Sequence, residues 1–151
     1  MRAGIEGWKG VGAAVGLPLF THYLAEALIS EGECQEAFDL MEPFFAELER
    51  SGEHFQDAVV RYTMGDAVLA GPNSDRDRAE EYYRDAIKIA QTQDAKTWEI
   101  RSVSRLAALL NERGKSADAA DMLASVCGWF SEQTASSDVL SARALLRELK
   151  S

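Results

Sequence analysis

The residues best suited to chemistry are two histidines and one cysteine beside a tryptophan. His22 and His54 could bind a metal ion, but neither has a cysteine or a second histidine at the spacing that a zinc site needs. Cys127 precedes Gly128 and Trp129, so a reactive thiolate is one interpretation of this segment. Ser, His and Asp residues also occur, but no nucleophile elbow or comparable turn accompanies them. We therefore expect no metal, no cofactor and no catalytic residue, and we predict that the chain is not an enzyme.

The glycine-rich opening, residues 1–16, has a spacing that also occurs in phosphate-binding loops. Its motif is Gly7-x-x-Gly10-x-Gly12. No predicted strand precedes this motif and no Lys-Ser/Thr pair follows it, so the features that would cradle a phosphate are missing. We predict a partial helix and connector here, weakened by its glycines.

The amino-acid composition restricts the class of protein to which the chain can belong. The chain has 151 residues, an apolar fraction of 46% and a formal net charge of −9, from 16 basic and 25 acidic residues. This charge repels nucleic acid and anionic lipid, so we expect no nucleic-acid or membrane partner. Two cysteines are too few for a secreted disulfide scaffold, and no apolar run reaches the length of a membrane span. A cytoplasmic protein is expected.

The pattern of residues predicts an all-α chain. Ala, Leu, Glu and Arg fill long segments, β-branched residues are sparse, and single glycines or short turn sequences separate the segments. Helix stops are predicted at Gly32, Gly52, Gly114 and the Gly-Pro-Asn-Ser turn that begins at Gly71. Predicted helices follow at 18–30, 33–50, 54–69, 75–93, 95–114, 116–130 and 138–149.

Particular positions within these helices carry further predictions. Pro43 lies inside the second predicted helix, where the missing backbone donor predicts a kink. Cys127 lies four residues after Leu123 on the apolar side of the sixth, so we interpret it as a small core residue. Trp129 and Phe130 are expected to anchor the last helix.

An internal repeat of about 41 residues links the segments. Ala37, Ala79 and Ala119 stand near the start of successive second helices, 42 and 40 residues apart. Four positions later come bulky residues, namely Met41, Tyr83 and Leu123. Small residues also mark the preceding helices, at Ala25, Gly65 and Ala107.

This pattern resembles the tetratricopeptide repeat (TPR), in which such small residues allow close helix contact. The repeat is longer than the usual 34 residues and lacks the usual first-helix tryptophan and closing proline. The segment "KTWEIRSVSRLAALLNERGKSADAADMLASVCGWF" is also similar to the C-terminal TPR region of bacterial multidomain signalling regulators. In that family a nucleotide cyclase of the adenylate/guanylate type, or a DNA-binding regulator, precedes a large NTPase and then helical repeats.

The resemblance implies one TPR-like domain over 1–151. The expected fold is a right-handed α-α superhelix of about three long TPR-like helical hairpins with a C-terminal capping helix. The expected divisions are a partial helix or connector at 1–16, repeats at 17–52, 53–93 and 94–130, and a capping helix at 137–150. The cyclase and NTPase are missing, and the sequence has no G-x-x-x-x-G-K-[ST] loop.

The function implied by the resemblance is non-catalytic protein–protein interaction, as a scaffold or regulatory arm of a bacterial signalling or transcription-regulatory system. The alternative is a small-effector sensor that binds its ligand in the concave groove, around His22 and Tyr62. Positions carried over from the TPR groove are His22, Glu26, Ile29, Tyr62, Asp66, Leu69, Arg101, Ser104, Ala108 and Asn111.

Two partner hypotheses follow from this assignment. Glu26 and Asp66 make the expected groove acidic, so a basic or amphipathic protein or peptide is the expected ligand. A repeat stack cut from longer neighbours leaves an apolar end, so a homodimer through the N-terminal end around Trp8 is a second hypothesis. The same groove positions are equally compatible with solvated residues on a structural spacer.

Overall fold

The structure, a computed structural model, describes residues 17–51 and 56–151, and this part of the chain folds as α-helices joined by turns. The absence of strands among these residues agrees with the predicted all-α class. The helices are α1 (Leu17–Ser30), α2 (Cys34–Ser51), α3 (Asp57–Ala70), α4 (Arg76–Thr92), α5 (Lys96–Glu112), α6 (Ser116–Cys127) and α7 (Ser137–Leu149).

The chain divides into two compact units between Tyr82 and Tyr83. In the first unit, α1 packs against α2 and α3, and α2 packs against α3. The first half of α4 belongs to this unit, with the Tyr82 ring edge-on to Phe45 at a centroid distance of 5.9 Å. In the second unit, α5 packs against α6 and α7, and α6 packs against α7. The single domain over 1–151 remains a prediction.

Local signals account for four of the helix ends. Gly32 and Gly114 adopt left-handed backbone, with φ of 87° and 75°, as their place after a helix predicts. The Asp75 Oδ1 atom accepts a hydrogen bond from the backbone N–H of Arg78 at 3.0 Å and caps α4. The Ser136 side chain accepts from the N–H of Val139 at 3.4 Å and caps α7.

The sixth helix is shorter than predicted. The α-helix ends at Cys127 rather than Phe130, and the chain continues through tight turns. The Trp129 N–H bonds to Val126 O at 3.3 Å and the Phe130 N–H bonds to Cys127 O at 3.2 Å, which is the three-residue spacing of a tightened helix end. Gly128 has poor helix propensity, and this explains why the four-residue pattern stops there.

Pro43 lies inside α2, and the helix continues on both sides of it. Its side chain is exposed, so the pyrrolidine ring projects to solvent while Ala37 and Met41 lie in the core. The predicted kink remains a prediction.

The repeat positions are fully buried in the part of the chain that the structure describes. The alanines at 25, 37, 79, 107 and 119 each have 0% of their surface exposed, and so do Met41, Tyr83 and Leu123. A larger side chain at any of these positions would have to displace its neighbours, because a packed interior has little empty space.

Some expectations lie outside the described residues. These are the partial helix and glycine motif of residues 1–16, the dimer contact around Trp8, the stop at Gly52 and the start of the third helix at His54.

Candidate functional site

A polar cluster lies between α1 and α3, at the first of the predicted groove positions. His22 is fully buried, and its Nδ1 atom lies 2.7 Å from the Thr63 hydroxyl oxygen. The Thr63 hydroxyl also lies 2.7 Å from the carbonyl oxygen of Val59, to which it donates. A hydroxyl has one hydrogen, so this arrangement assigns the proton between His22 and Thr63 to Nδ1.

The other ring nitrogen of the same imidazole lies near a carboxylate. The Nε2 atom of His22 lies 3.5 Å from Glu26 Oε2, and the Glu26 side chain is 41% exposed. The Tyr62 ring stands edge-on to His22 at a centroid distance of 5.9 Å, and Tyr23 lies at 5.1 Å. His22 and Tyr62 therefore pack against each other inside the first unit, and Glu26 reaches its surface.

The other predicted positions of the first unit differ in exposure. Asp66 is buried, with 8% of its surface exposed. Ile29 and Leu69 are partly buried. The structure thus brings His22, Glu26 and Tyr62 together, and Glu26, Ile29 and Leu69 are the members of this set with surface accessible to a partner.

The predicted positions of the second unit have structural contacts of their own. The Arg101 Nε atom donates to Asp138 Oδ2 at 2.9 Å and so ties α5 to α7, while its guanidinium lies 5.0 Å from the Trp98 ring. Ser104 is partly buried, and its hydroxyl donates to the carbonyl oxygen of Ile100. Ala108 and Asn111 are exposed, and Asn111 Oδ1 accepts from Ser116 at 2.6 Å.

The segment around Cys127 is a structural joint. Cys127 is 8% exposed, as expected for a core residue. Burial raises the pKa of its thiol, and the charge of Arg143 offsets part of that rise. A neutral thiol is a poor nucleophile, so this environment does not activate Cys127.

The contacts of the aromatic pair after Cys127 differ from the expected ones. Trp129 is 67% exposed and does not anchor the last helix by burial. Instead the Lys96 Nζ atom lies 4.0 Å from the Trp129 ring centroid. Phe130 is partly buried, and its carbonyl oxygen accepts from Arg143 Nη2 at 3.0 Å.

Arg143 holds the loop before α7 through main-chain acceptors. Its guanidinium also donates to the carbonyl oxygens of Ser131 at 2.9 Å, Thr134 at 3.3 Å and Glu132 at 3.4 Å. A guanidinium has five N–H donors in a fixed plane, so one side chain can gather several carbonyls. The hydrophobic pattern of the sequence did not predict that Arg143 binds the carbonyl groups of this loop.

The first unit has a surface pocket of about 300 Å³ that was not predicted from the sequence. Its walls come from the start of α2, the end of α3 and the start of α4, and include Cys34, Phe38, Asp75 and Arg78. These residues lie up to 44 positions apart in the chain, so no spacing motif connects them. Asp75 is a residue type that caps helices, and that signal points to helix geometry alone.

No protein-family model matches the chain, and no curated protein matches it. In the part of the chain that the structure describes, no three His, Cys, Asp or Glu side chains form a metal-binding group. None of the described helices is both long enough and apolar enough to cross a membrane.

Proposed function

We propose that this chain is a TPR-like interaction module, a right-handed superhelix of helical hairpins that binds a protein or peptide partner without catalysing a reaction. The resemblance of the segment from Lys96 to Phe130 to the helical region of bacterial signalling and transcription regulators is the ground for proposing a scaffold or regulatory arm, and we propose a cytoplasmic location.

The observation that carries the proposal is the burial of the repeat positions. Alanines were predicted from sequence as the close-contact sites of successive hairpins, and all five have no exposed surface. In a repeat protein such contacts recur because each hairpin buries its apolar face on a neighbour. The outward faces of the first helices are then available to a partner.

The charge distribution supports a basic partner. Residues 1–82 contain 6 basic and 16 acidic residues, a net charge of −10, whereas residues 83–151 contain 10 basic and 9 acidic residues, a net charge of +1. The negative charge of the chain therefore belongs to the first unit, which also carries Glu26. Opposite charges on the unit and a basic partner speed their encounter, and like charges disfavour acidic partners.

The test is a titration with a designed probe. A fluorescein-labelled amphipathic helical peptide with lysines on its polar face is compared by fluorescence anisotropy with the same peptide carrying glutamates there. The lysine peptide should bind saturably and more weakly as salt rises, and the glutamate peptide should not bind.

A charge-reversed pair of variants locates the contact. Glu26→Lys should weaken binding of the lysine peptide by roughly threefold to tenfold. Glu47→Lys makes the same change in charge on α2, where Glu47 is an exposed partner of Arg50, and serves as the control. Equal effects of the two variants, or equal binding of the two peptides, would contradict the proposal.

A further inference from the structure

The pocket at the start of α4 offers a recognition site distinct from the groove positions. Its apolar wall includes Cys34, Phe38, Ala67 and Val68. Cys34 and Ala67 have 4% and 3% of their surface exposed, so this side of the pocket is continuous with the core. A volume of about 300 Å³ is at the lower end of the range of small-molecule sites and suits a ligand of amino-acid size.

Gly71 allows the turn after α3 to approach this wall. A Cβ atom added there would lie 3.8 Å from Cys34 Cβ and 3.3 Å from the carbonyl oxygen of Ala67. Any side chain at this position would therefore start within the pocket, against Cys34. Glycine leaves that space open.

One end of the pocket carries a fixed positive charge. The Arg78 guanidinium lies 5.0 Å from the Phe38 ring centroid and 5.6 Å from that of Tyr82, and its Nη2 donates to the Tyr82 hydroxyl at 3.2 Å. Among the residues that the structure describes, no carboxylate lies within ion-pair distance of Arg78. Stacking on two rings holds the guanidinium in place and leaves its other N–H groups available for a ligand carboxylate.

A carboxylate stands one helical turn away at the same pocket. Asp75 uses Oδ1 to cap α4, and within the described ranges its Oδ2 atom has no hydrogen-bond partner. Asp75 and Arg78 both line the pocket without forming an ion pair with each other. The pocket thus presents one negative group, one positive group and an apolar wall.

We propose that this pocket binds a free apolar α-amino acid. The ligand ammonium group bonds to Asp75, its carboxylate bonds to Arg78, and its side chain lies against Phe38 and Val68. A zwitterion has no net charge, so the net charge of −10 on the first unit does not repel it as it would repel a simple carboxylate.

The first experiment uses L-phenylalanine and L-leucine as probes of the full chain. Backbone amide shifts of Cys34, Phe38 and Gly71 are followed by ¹⁵N NMR during the titration. We expect saturable shifts at these residues with a dissociation constant in the millimolar range or tighter. N-acetyl-L-phenylalanine lacks the ammonium charge and L-phenylalaninamide lacks the carboxylate, so both should bind at least about tenfold more weakly.

Two substitutions each remove one charge of the pocket and preserve the local helix. Asp75→Asn keeps a side chain that caps a helix as well as aspartate does, but it removes the negative charge. Arg78→Gln removes the positive charge and keeps good helix propensity. Each should weaken phenylalanine binding at least about tenfold, and Arg78→Gln should abolish the preference for the free acid over its amide.

The exposed pair of Glu47 and Arg50 on α2 provides matched controls. Glu47→Gln and Arg50→Gln make the same changes in charge away from the pocket and should leave binding unchanged.

Bound phenylalanine should also slow the labelling of Cys34 by N-ethylmaleimide without slowing that of Cys127. The proposal is overturned if neither amino acid gives saturable shifts at the pocket, if the two derivatives bind as tightly as phenylalanine, or if the control variants match the pocket variants. The groove positions take no part in this experiment, so its outcome is independent of the peptide titration.

Discussion

Arg61 joins two helices of the first unit. Its Nε atom donates to Asp57 Oδ1 at 2.6 Å on α3, and its Nη2 atom donates to Glu49 Oε1 at 2.5 Å on α2. The guanidinium also lies 5.0 Å from the Phe45 ring centroid. Burial lowers the pKa of Arg61, but the hydrogen bonds and charges of Asp57 and then Glu49 outweigh it, and the pKa is raised overall.

Removing this guanidinium should destabilise the chain strongly. Asp57 has 1% of its side chain exposed, so Arg61→Met removes a cation that pairs with a buried carboxylate. We expect the free energy of unfolding to fall by about 3–5 kcal/mol, measured by urea denaturation. Arg50→Met breaks an exposed ion pair and should change it by less than about 1 kcal/mol. Equal losses in the two variants would show that the Arg61 pair is not effectively buried.

Cys127 should react slowly with thiol reagents in the folded state. Burial raises the pKa of its thiol, so less thiolate is present at neutral pH than in an unfolded chain. In a Cys34→Ser variant, labelling by N-ethylmaleimide should be many times slower than in urea. Rapid labelling of the folded variant would contradict the assignment of Cys127 to the core.

The same shift predicts a dependence of stability on pH. A thiol whose folded pKa lies above its unfolded value ionises first in the unfolded chain. Its contribution is therefore complete below the unfolded pKa and is lost as pH rises through the folded pKa. Cys127→Ala should reduce the loss of stability on the alkaline side, as measured by urea denaturation across pH. An unchanged pH profile in this variant would argue against a raised pKa.

At the scale of helices, the repeat alanines determine how closely neighbours approach. Ala119 on α6 has no exposed surface, whereas Ala117 on the same helix is exposed. Both positions are alanines on the same helix. Comparing the same substitution at each therefore separates the effect of packing from the effect of helix propensity.

Enlarging the buried alanine should separate α6 from its neighbour. We expect Ala119→Leu to lower the free energy of unfolding by about 1–3 kcal/mol, because the added isopropyl group has no space in a close-packed interface. Ala117→Leu should alter it by less than about 0.5 kcal/mol. Urea denaturation of both variants measures the difference, and similar values would mean that the repeat contact is loose.

Helix ends were predictable to the extent that their causes are local. Gly32 and Gly114 terminate helices through their own backbone freedom, and Asp75 and Ser136 cap through atoms three residues away. The loop after Cys127 was predicted less well. Its conformation depends on Arg143, which is 13 residues beyond Phe130 and belongs to another helix.

At the scale of the whole molecule, charge is distributed unevenly between the two units. The net charge is −10 over residues 1–82 and +1 over residues 83–151. Like charges on a compact unit repel one another and lower its stability, and added salt screens this repulsion over a Debye length of about 10 Å at 0.1 M. The first unit should therefore be the more sensitive to salt.

Native-state hydrogen exchange can measure this difference within one sample. Raising sodium chloride from low concentration to about 0.5 M should increase the protection of amides in α1, α2 and α3 more than that of amides in α5 and α6. Choline chloride should act in the same way if screening is the cause. An equal gain in both units, or a larger gain in the second, would contradict this prediction.

The amino-acid sequence alone determined the helical class, most helix ends and the buried repeat positions. Each of these depends on residues within a few positions or on a pattern that the chain repeats about every 41 residues, so the cause is visible along the sequence. The tertiary structure decided which polar side chains meet. His22 reaches Thr63 across 41 positions, Arg101 reaches Asp138 across 37, and the pocket combines the starts of α2 and α4 with the end of α3. Such contacts depend on the rotation and spacing of packed helices, which the apolar pattern constrains only to a face, so the partner of each polar side chain emerges only when the helices are in place.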